Sequence, residues 1–453
     1  MSPDDATTPD ALRTLRRTIG PVQATAMVVG TIIGASIFVQ PSIVTGAVPS
    51  VPGIFAVWLA AGLLTLCGSL IAAELASAFP RTGGVYVYLR EAYSPALGFL
   101  WGWAMFWTMH TGIIAAIAMV FARYLAVLVP MSDPALRAIA IAAVMLLSAV
   151  NYVGVKQGSL LQTAFTMGKL VAIAIVIVIA FSVGPRQALS AGGPATGAVT
   201  ITSFLLAVSA GLFAFGGWHM VTFVAGETIE PQRTIPRALT VGVVVVTACY
   251  VLLNAAYLHV LPLPTVTSSS RVAADAADAV LGQGGAAVMS VLVVFSTFGA
   301  LSGIVLSGPR AYLSMARDGL IFRWLGDVHP TFRTPHRAVA LQAVWAAVLI
   351  ATGSYGALVA RVIYTEWLFF ALLALAIVLL RRRAAYQPSY RMRWVPALPL
   401  AFAVAALLVV INQIGARPVE SVTGLVLVLV GWPVHWLWSR RRFSPTRMLS
   451  HGD

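Results

Sequence analysis

Long apolar segments separated by short polar connections run through most of the chain. Each has roughly 17 residues or more, the length that an α-helix needs to cross the hydrocarbon core of a bilayer. Strands of a membrane barrel would instead alternate apolar and polar residues over about 10 positions. The pattern predicts an all-α membrane protein with twelve transmembrane helices, at about residues 20–47, 53–79, 95–129, 135–152, 159–183, 200–228, 236–261, 283–313, 337–353, 357–380, 395–412 and 419–438.

The first and sixth segments contain glycines where a continuous helix would favour better helix formers. They lie in GTIIGAS (30–36) and FAFGGWH (213–219). Each glycine inside a helix costs about 0.5–1 kcal/mol relative to alanine, so the repeated pairs need a reason. Taken singly, either stretch fits close helix–helix packing. Two breaks at matching positions of two halves instead indicate a transporter binding site.

The matching breaks in the first and sixth segments also indicate how the chain is divided into repeats. If segments 1–5 (20–183) and 6–10 (200–380) form two repeats, their odd number inverts the second repeat relative to the first. The two breaks then face each other near the middle of the membrane, as in a five-plus-five inverted repeat. Residues 395–438 add two peripheral helices. Residues 1–19 and 439–453 are expected to be cytoplasmic tails.

Composition supports the membrane class and indicates an orientation. The chain is 59% hydrophobic and 10% charged, with a mean hydropathy of +0.89; a soluble domain carries about 25% charged residues. With the N-terminus inside, 22 of the 29 lysines and arginines fall in cytoplasmic segments, which favours cytoplasmic termini. This distribution explains the net charge of +14 without a nucleic-acid-binding patch.

Enzyme and channel patterns are missing from the sequence. There is no HExxH, no GxSxG in a suitable context, and no pair of membrane aspartates or filter-like repeat. The two cysteines, Cys67 and Cys249, lie within apolar segments and have no metal-ligand spacing. We therefore expect neither enzymatic activity nor a metal or other cofactor.

A broken helix offers its own chemistry. The freed N–H groups of the second half-helix suit a carboxylate, and the freed carbonyls of the first half suit an ammonium group. Two facing breaks therefore suit the zwitterionic backbone of an amino acid. Apolar and aromatic residues surround both breaks, and the sequence places no acid there. This favours neutral L-amino acids.

Several stretches, in order, resemble the amino acid–polyamine–organocation superfamily, and within it the L-type amino acid transporter branch. The resemblance implies a LeuT-like five-plus-five fold, transport by alternating access, and a cell membrane location, the inner membrane if the source is bacterial. The matching stretches are GTIIGASIF (30–38), ELASAFPRTGGVYVYLREAY (74–93), QTAFTMGKL (162–170), GLFAFGGWHMVTFVAGETIEPQRTIPRAL (211–239), FSTFGALSGIVLSGPRAYLSMARDG (295–319) and EWLFFALLALAIVLLRRR (366–383).

The resemblance also implies a substrate site built on both breaks. Phe213 would act as an aromatic gate, and Trp367 would flank the cavity. Ala35, Ser36 and His219 depart from the family pattern. The family usually has Gly-Ser-Gly at positions 34–36, and Asn commonly stands where this chain has His219. His219 is either a helix histidine bonded to a neighbour or a substrate contact. The full predicted set is Thr31, Ile32, Gly34, Ala35, Ser36, Phe213, Ala214, Phe215, Gly216, Trp218, His219 and Trp367.

Lys169 lies about ten residues into its segment, roughly 15 Å deep by helical rise. That is deep for a side chain that snorkels to the interface, so a buried role is favoured. The resemblance implies that its ammonium replaces the cation of sodium-coupled relatives, contacting the first helix and the hydroxyls of Ser296 and Thr297. Sodium-independent exchange or facilitated diffusion follows. A proton-coupled symporter and a non-transporting receptor are the alternatives.

Other polar positions leave two readings open. Glu366 lies either beside the outer half of the cavity or at the membrane interface, and His110 either faces the cavity or bonds a neighbouring helix. Glu227 and Glu230 with Arg233 and Arg237 form either an inner gate or a solvated turn. The connection at 129–137 has no cysteine, so we expect no disulfide-linked heavy chain; the expected partners are the amino acid substrate and the lipid bilayer.

Overall fold

The computed structural model describes residues 15–183, 199–269, 271–282, 284–353 and 355–440, with backbone alone at 355–364. The predicted tails at 1–19 and 439–453 therefore lie mostly outside the described residues. The helices are α1 Pro21–Ile32, α2 Ser36–Ala47, α3 Val51–Ala78, α4 Val85–Ala92, α5 Pro95–Ala104, α6 His110–Leu128, α7 Asp133–Val153, α8 Val155–Val183, α9 Ile201–Ala214, α10 Pro231–Val260, α11 Leu263–Ser268, α12 Val272–Leu281, α13 Gly285–Arg317, α14 His336–Thr352, α15 Tyr355–Leu380, α16 Ala397–Ala416 and α17 Pro418–Arg440.

Within the described ranges, nine helical segments are long and apolar enough to cross a membrane. The pair α1 and α2, bent by 46° at its break, makes a tenth when it is counted as one span. The α14 helix and residues Thr365–Leu380 of α15 are shorter apolar helices. These segments confirm the prediction of an all-helical, multi-pass membrane protein. Their bounds lie within a few residues of the predicted ones.

Two spans contain irregular helix. A π-helical turn at Met105–Met109 joins α5 to α6, so that the long third segment is one interrupted span. In the sixth span, a 3₁₀ helix at Trp218–Glu227 continues from α9 after a short turn. The interruptions in the first and sixth spans both fall within the glycine-containing stretches that the sequence singled out.

The two breaks lie against each other at the centre of the bundle. The α1 helix packs on α8, α10 and α13, and it also contacts the 3₁₀ helix of the sixth span. Large apolar side chains remain exposed on the outer faces, among them Leu63, Val241, Val291 and Val426. An exposed apolar surface of this kind suits contact with lipid, because lipid tails are themselves apolar.

Candidate functional site

The break in the first span frees backbone carbonyls that buried side chains then bind. Lys169 of α8 is fully buried, and its Nζ donates to the carbonyls of Gly30 at 3.2 Å and Ile33 at 2.7 Å. It also donates to the carbonyl of Ser296 in α13 at 2.9 Å. One ammonium thus joins three helices through backbone oxygens. This arrangement compensates a cation that would otherwise be expensive inside a membrane.

The hydroxyl groups of α13 contact the break differently from what the sequence predicted. Ser296 Oγ donates to the carbonyls of Ile33 and Gly34 at 3.3 Å each, so it supports the break directly and not through Lys169. Thr297 Oγ1 donates to the carbonyls of Val293 and Val294 in its own helix. Thr297 therefore makes no hydrogen bond to Lys169, because its backbone neighbours satisfy its hydroxyl.

Tyr250 of α10 joins the two breaks and was missed by sequence reasoning. Its buried hydroxyl lies 3.0 Å from the Ile32 carbonyl and 2.9 Å from the Ala214 carbonyl, and it donates to both. Those carbonyls end the first halves of the two broken helices. Nothing in the local sequence around residue 250 marks this role, since the tyrosine stands in an ordinary apolar span.

The turn in the sixth span depends on a glycine. Gly217 has a φ of +97°, in the left-handed region that favours glycine. A Cβ at this position would lie 3.2 Å from both the Cβ and the carbonyl oxygen of Thr31. Thr31 Oγ1 in turn donates to the Gly217 carbonyl at 3.2 Å. The close approach of the breaks and the positive φ explain the second glycine of the pair.

A cavity of about 280 Å³ lies between the two breaks. Its size is at the lower end of small-ligand pockets. Most of its wall is apolar, and side-chain polarity comes from Thr31, Ser36, Gln40 and Glu366. The first N–H groups of α2, at Ser36 and Ile37, lack intrahelical acceptors as at any helix start. The predicted residues that border it are Thr31, Ile32, Gly34, Ala35, Ser36, Phe213, Gly216, Trp218 and Trp367.

Three predicted residues do not border the cavity. The Ala214 carbonyl is bonded to Tyr250, and the Phe215 ring packs against the same tyrosine with centroids 5.0 Å apart. His219 lies behind the wall, with its Nε2 3.7 Å from Glu366 Oε1. These three therefore support the wall and do not form it.

Glu366 of α15 does border the cavity, and it is 7% exposed. Of the two positions left open for Glu366, the structure therefore shows the one beside the cavity. The expectation that no acid lies near the breaks is wrong, because Glu366 reaches the cavity from the tenth predicted span. His110, by contrast, is bonded through Nε2 to the Ile304 carbonyl at 2.8 Å and lies outside the cavity wall.

The family model "Amino acid permease" matches residues 19–433, which is most of the chain. The chain belongs to the amino acid permease family. It is 33% identical to the serine/threonine exchanger SteT of Bacillus subtilis over 439 residues, covering 95% of this chain and 98% of that protein.

Animal transporters are also similar to this permease. The Asc-type amino acid transporter 1 of Mus musculus is 31% identical over 447 residues, covering 95% of this chain and 83% of that protein. The human b(0,+)-type amino acid transporter 1 is 29% identical over 446 residues, covering 96% and 91%. Family membership makes this permease a membrane transporter and not an enzyme, and it agrees with the resemblance noted in the sequence.

A buried ion pair lies beside the N-terminal segment of the permease. Arg310 of α13 donates through Nε and Nη2 to both carboxylate oxygens of Glu227, at 2.8 and 3.0 Å, and both side chains are fully buried. The backbone N–H groups of Thr18 and Ile19 donate to the Glu227 carbonyl. Of the four residues that the sequence grouped here as a gate or a solvated turn, Glu230 and Arg233 pair with each other at 3.7 Å on the exposed surface.

A second group of charges joins α3 and α15 at the same end. Arg381 donates to both carboxylate oxygens of Glu74, at 2.8 and 2.6 Å, and Tyr386 and the Met392 N–H donate to the same carboxylate. Sequence reasoning missed this group, because Glu74 is more than 300 positions away from its partners along the chain. Its contacts hold the C-terminal ends of α3 and α15 together.

The short helix α4 adds a third group outside the spans. Tyr86 donates to Asp318 at 2.7 Å, and Arg90 pairs with both Asp318 and Glu91. Burial and the bond to Asp318 raise the pKa of Tyr86 well above its usual range. Burial alone would raise the pKa of Glu91, but Arg90 and Arg81 together lower it.

Proposed function

We propose that this permease carries neutral L-amino acids across the membrane without sodium, by exchange or facilitated diffusion through alternating access. The observation that carries the proposal is the mainly apolar cavity between two broken helices. The printed names of the relatives are those of amino acid transporters, and one is a serine/threonine exchanger. Amino acid transport is supported by family membership, and the neutral, sodium-independent form is our inference.

The cavity suits a zwitterion at its centre. The N–H groups at the start of α2 favour a carboxylate through their partial positive charge. Phe213 and Gly216 of the sixth span border the cavity, and their carbonyls are the proposed acceptors for an ammonium group. Ala35 and Ser36 border the carboxylate side of the cavity, so we expect them to limit the size of the bound amino acid. Phe213 is the proposed gate.

Sodium independence is supported by the contacts of Lys169. Its ammonium already binds the Gly30 and Ile33 carbonyls of the first span and the Ser296 carbonyl of α13. A sodium ion needs the same kind of oxygen ligand. A fixed ammonium on those oxygens would exclude the ion by charge and by volume. Lys169 is therefore proposed as the permanent cation that couples the first and eighth spans.

The proposal includes the twelve-span arrangement. Nine long segments, one bent pair, α14 and the apolar part of α15 are consistent with twelve spans, of which the first ten form the two inverted repeats. The excess of lysine and arginine in alternate connections favours cytoplasmic termini. For a bacterial source the membrane would be the inner one. The cysteine-free connection at 129–137 supports function without a disulfide-linked partner.

Transport by purified protein in liposomes tests the function. Uptake of radiolabelled L-threonine is measured with and without unlabelled amino acid inside, first in sodium and then in choline medium. We expect internal amino acid to accelerate uptake, and replacement of sodium to leave the rate unchanged. A panel of competing amino acids then defines the substrate range. Retained binding with no flux in any condition would instead indicate a receptor.

A further inference from the structure

Apart from the proposed zwitterion site, a buried acid–histidine pair lies at the cavity wall. Glu366 lies in the wall at 7% exposure, and His219 lies directly behind it at 2% exposure. Glu366 Oε1 and His219 Nε2 are 3.7 Å apart. His219 comes from the sixth span and Glu366 from α15, so the contact is made only in the folded protein.

The surroundings of His219 are aromatic and buried. Four rings pack on the His219 imidazole, with centroid distances between 5.1 and 5.8 Å. They belong to Trp101, Trp218, Phe223 and Phe370. Across the described ranges, His219 Nδ1 has no hydrogen-bond partner. Charges in such an environment are poorly screened and costly unless they are paired.

Charged and titratable groups on the packed elements are engaged elsewhere. The Nε2 of His110 in α6 is bonded to the Ile304 carbonyl. The acids Glu227 and Glu74 are paired with Arg310 and Arg381. Lys169 is bonded to three carbonyls. Among the described residues the nearest compensation for the Glu366 carboxylate is therefore a proton on the pair itself.

The Glu366–His219 pair has two charge states that differ by one proton. With one proton the pair has no net charge, whether the proton is on Glu366 or on the imidazole. Without it the pair is a buried anion facing the cavity. We propose that His219 and Glu366 together form a proton-binding site of the substrate cavity, and that binding of a neutral amino acid is linked to binding of this proton.

The sign of the linkage follows from desolvation. A bound amino acid covers Glu366 and removes remaining water from the cavity, which raises the cost of the anionic state more than that of the neutral one. Substrate therefore binds best when the pair holds its proton, and by reciprocity substrate binding takes up a proton. Apparent affinity then falls as pH rises through the titration of the pair, by up to about tenfold per pH unit for one linked proton.

Equilibrium binding of radiolabelled L-threonine to purified protein tests the site without requiring transport. Affinity is measured between about pH 5.5 and pH 8.5, the range in which a histidine–carboxylate pair is expected to change charge. We expect the wild type to lose affinity with rising pH and Glu366→Gln to have one affinity throughout. His219→Asn should retain a dependence with a shifted midpoint. The matched change His435→Asn, on α17 away from the cavity, should behave as the wild type.

The outcomes separate this proposal from the function on which it rests, namely amino acid binding in the cavity. Binding that is present but independent of pH in the wild type would overturn the proton site alone. An unchanged pH dependence in Glu366→Gln, or an unchanged midpoint in His219→Asn, would do the same. No binding of L-threonine or any other common amino acid at any pH would overturn the proposed function. Proton uptake by the wild type on addition of L-threonine, measured with a pH dye in weak buffer, is the direct supporting result.

Discussion

Lys169 illustrates how one side chain can stabilise a broken backbone. Its three acceptors are backbone carbonyls, two from the freed end of α1 and one from α13. Without the ammonium, the Gly30 carbonyl would have no other side-chain donor in the described ranges. The Ile33 carbonyl would still accept a hydrogen bond from the Ser296 hydroxyl. Burial of unsatisfied polar groups costs about 1–3 kcal/mol each. The lysine therefore supports both stability and the geometry of the cavity.

Replacement of this lysine is the first prediction. Lys169→Ala should lower the rate of amino acid exchange by at least about tenfold and lower the melting temperature in detergent, because buried carbonyls lose their donor. The matched control is Lys156→Ala, which removes the other lysine of the chain from an exposed position on the same helix. Wild-type exchange in Lys169→Ala, at equal amounts of protein in the membrane, would contradict the proposed coupling of the first and eighth spans.

Residues of the site differ in how far the sequence could predict them. The depth of Lys169 in its segment indicated a buried role, and the family resemblance indicated its partners. Tyr250 and Arg310 carried no such signal, because each stands in an apolar or ordinary basic context and meets its partner across the fold. Glu366 was noted in the sequence, but its side of the helix depended on how α15 packs. Pairing across distant segments is the information that a single sequence lacks.

At the scale of elements, the breaks depend on glycine in different degrees. A Cβ at Gly34 would meet only Ala300 Cβ at an ordinary 3.4 Å. Gly217 combines a positive φ with close approach to Thr31. The hydrophobic pattern predicted where the spans lie and which two are broken, since both follow from local composition. It did not predict the π-helical turn at Met105–Met109.

The second prediction concerns Gly217. Gly217→Ala should destabilise the protein and reduce exchange, because an L-residue in left-handed backbone costs roughly 1–2 kcal/mol and the added Cβ presses on Thr31. Gly415→Ala in α16 is the control, since its Cβ would meet no atom within 4 Å. Alanine is the better helix former, so that variant should be as stable as the wild type or slightly more so. Equal melting temperatures for both variants would argue against a strained turn at Gly217.

The third prediction concerns the buried ion pair between α13 and the 3₁₀ helix of the sixth span. Arg310→Ala leaves the Glu227 carboxylate buried without its partner, a change that typically costs 3–5 kcal/mol. We expect a large fall in melting temperature and loss of exchange. Arg233→Ala, which breaks an exposed pair at the same end, should change stability little. Comparable falls in melting temperature and exchange for the two substitutions would contradict the inference that the buried pair matters more than the exposed one.

At the scale of the whole molecule, two ion pairs and the cavity lie in different parts of the bundle. Glu227–Arg310 and Glu74–Arg381 lie toward the end beside the N-terminal segment. The cavity instead extends along α2, where Val39 and Gln40 border it. If the N-terminus is cytoplasmic, the structure corresponds to a conformation closed toward the cytoplasm. Alternating access would then require those ion pairs to separate in the opposite conformation.

The last prediction tests this asymmetry by chemical labelling. In a background with Cys67→Ala and Cys249→Ala, Gln40→Cys should react with a membrane-impermeant thiol reagent added outside intact cells, and L-threonine should slow the reaction. Gln162→Cys is the control, because Gln162 is buried on α8 and does not border the cavity. It should remain unlabelled under the same conditions. Reaction of Gln40→Cys only in inverted vesicles would reverse the orientation argued from the charge distribution. The side from which the reagent reacts shows the direction in which the cavity opens. Slowing of the same reaction by L-threonine shows that the amino acid occupies the site between the two breaks.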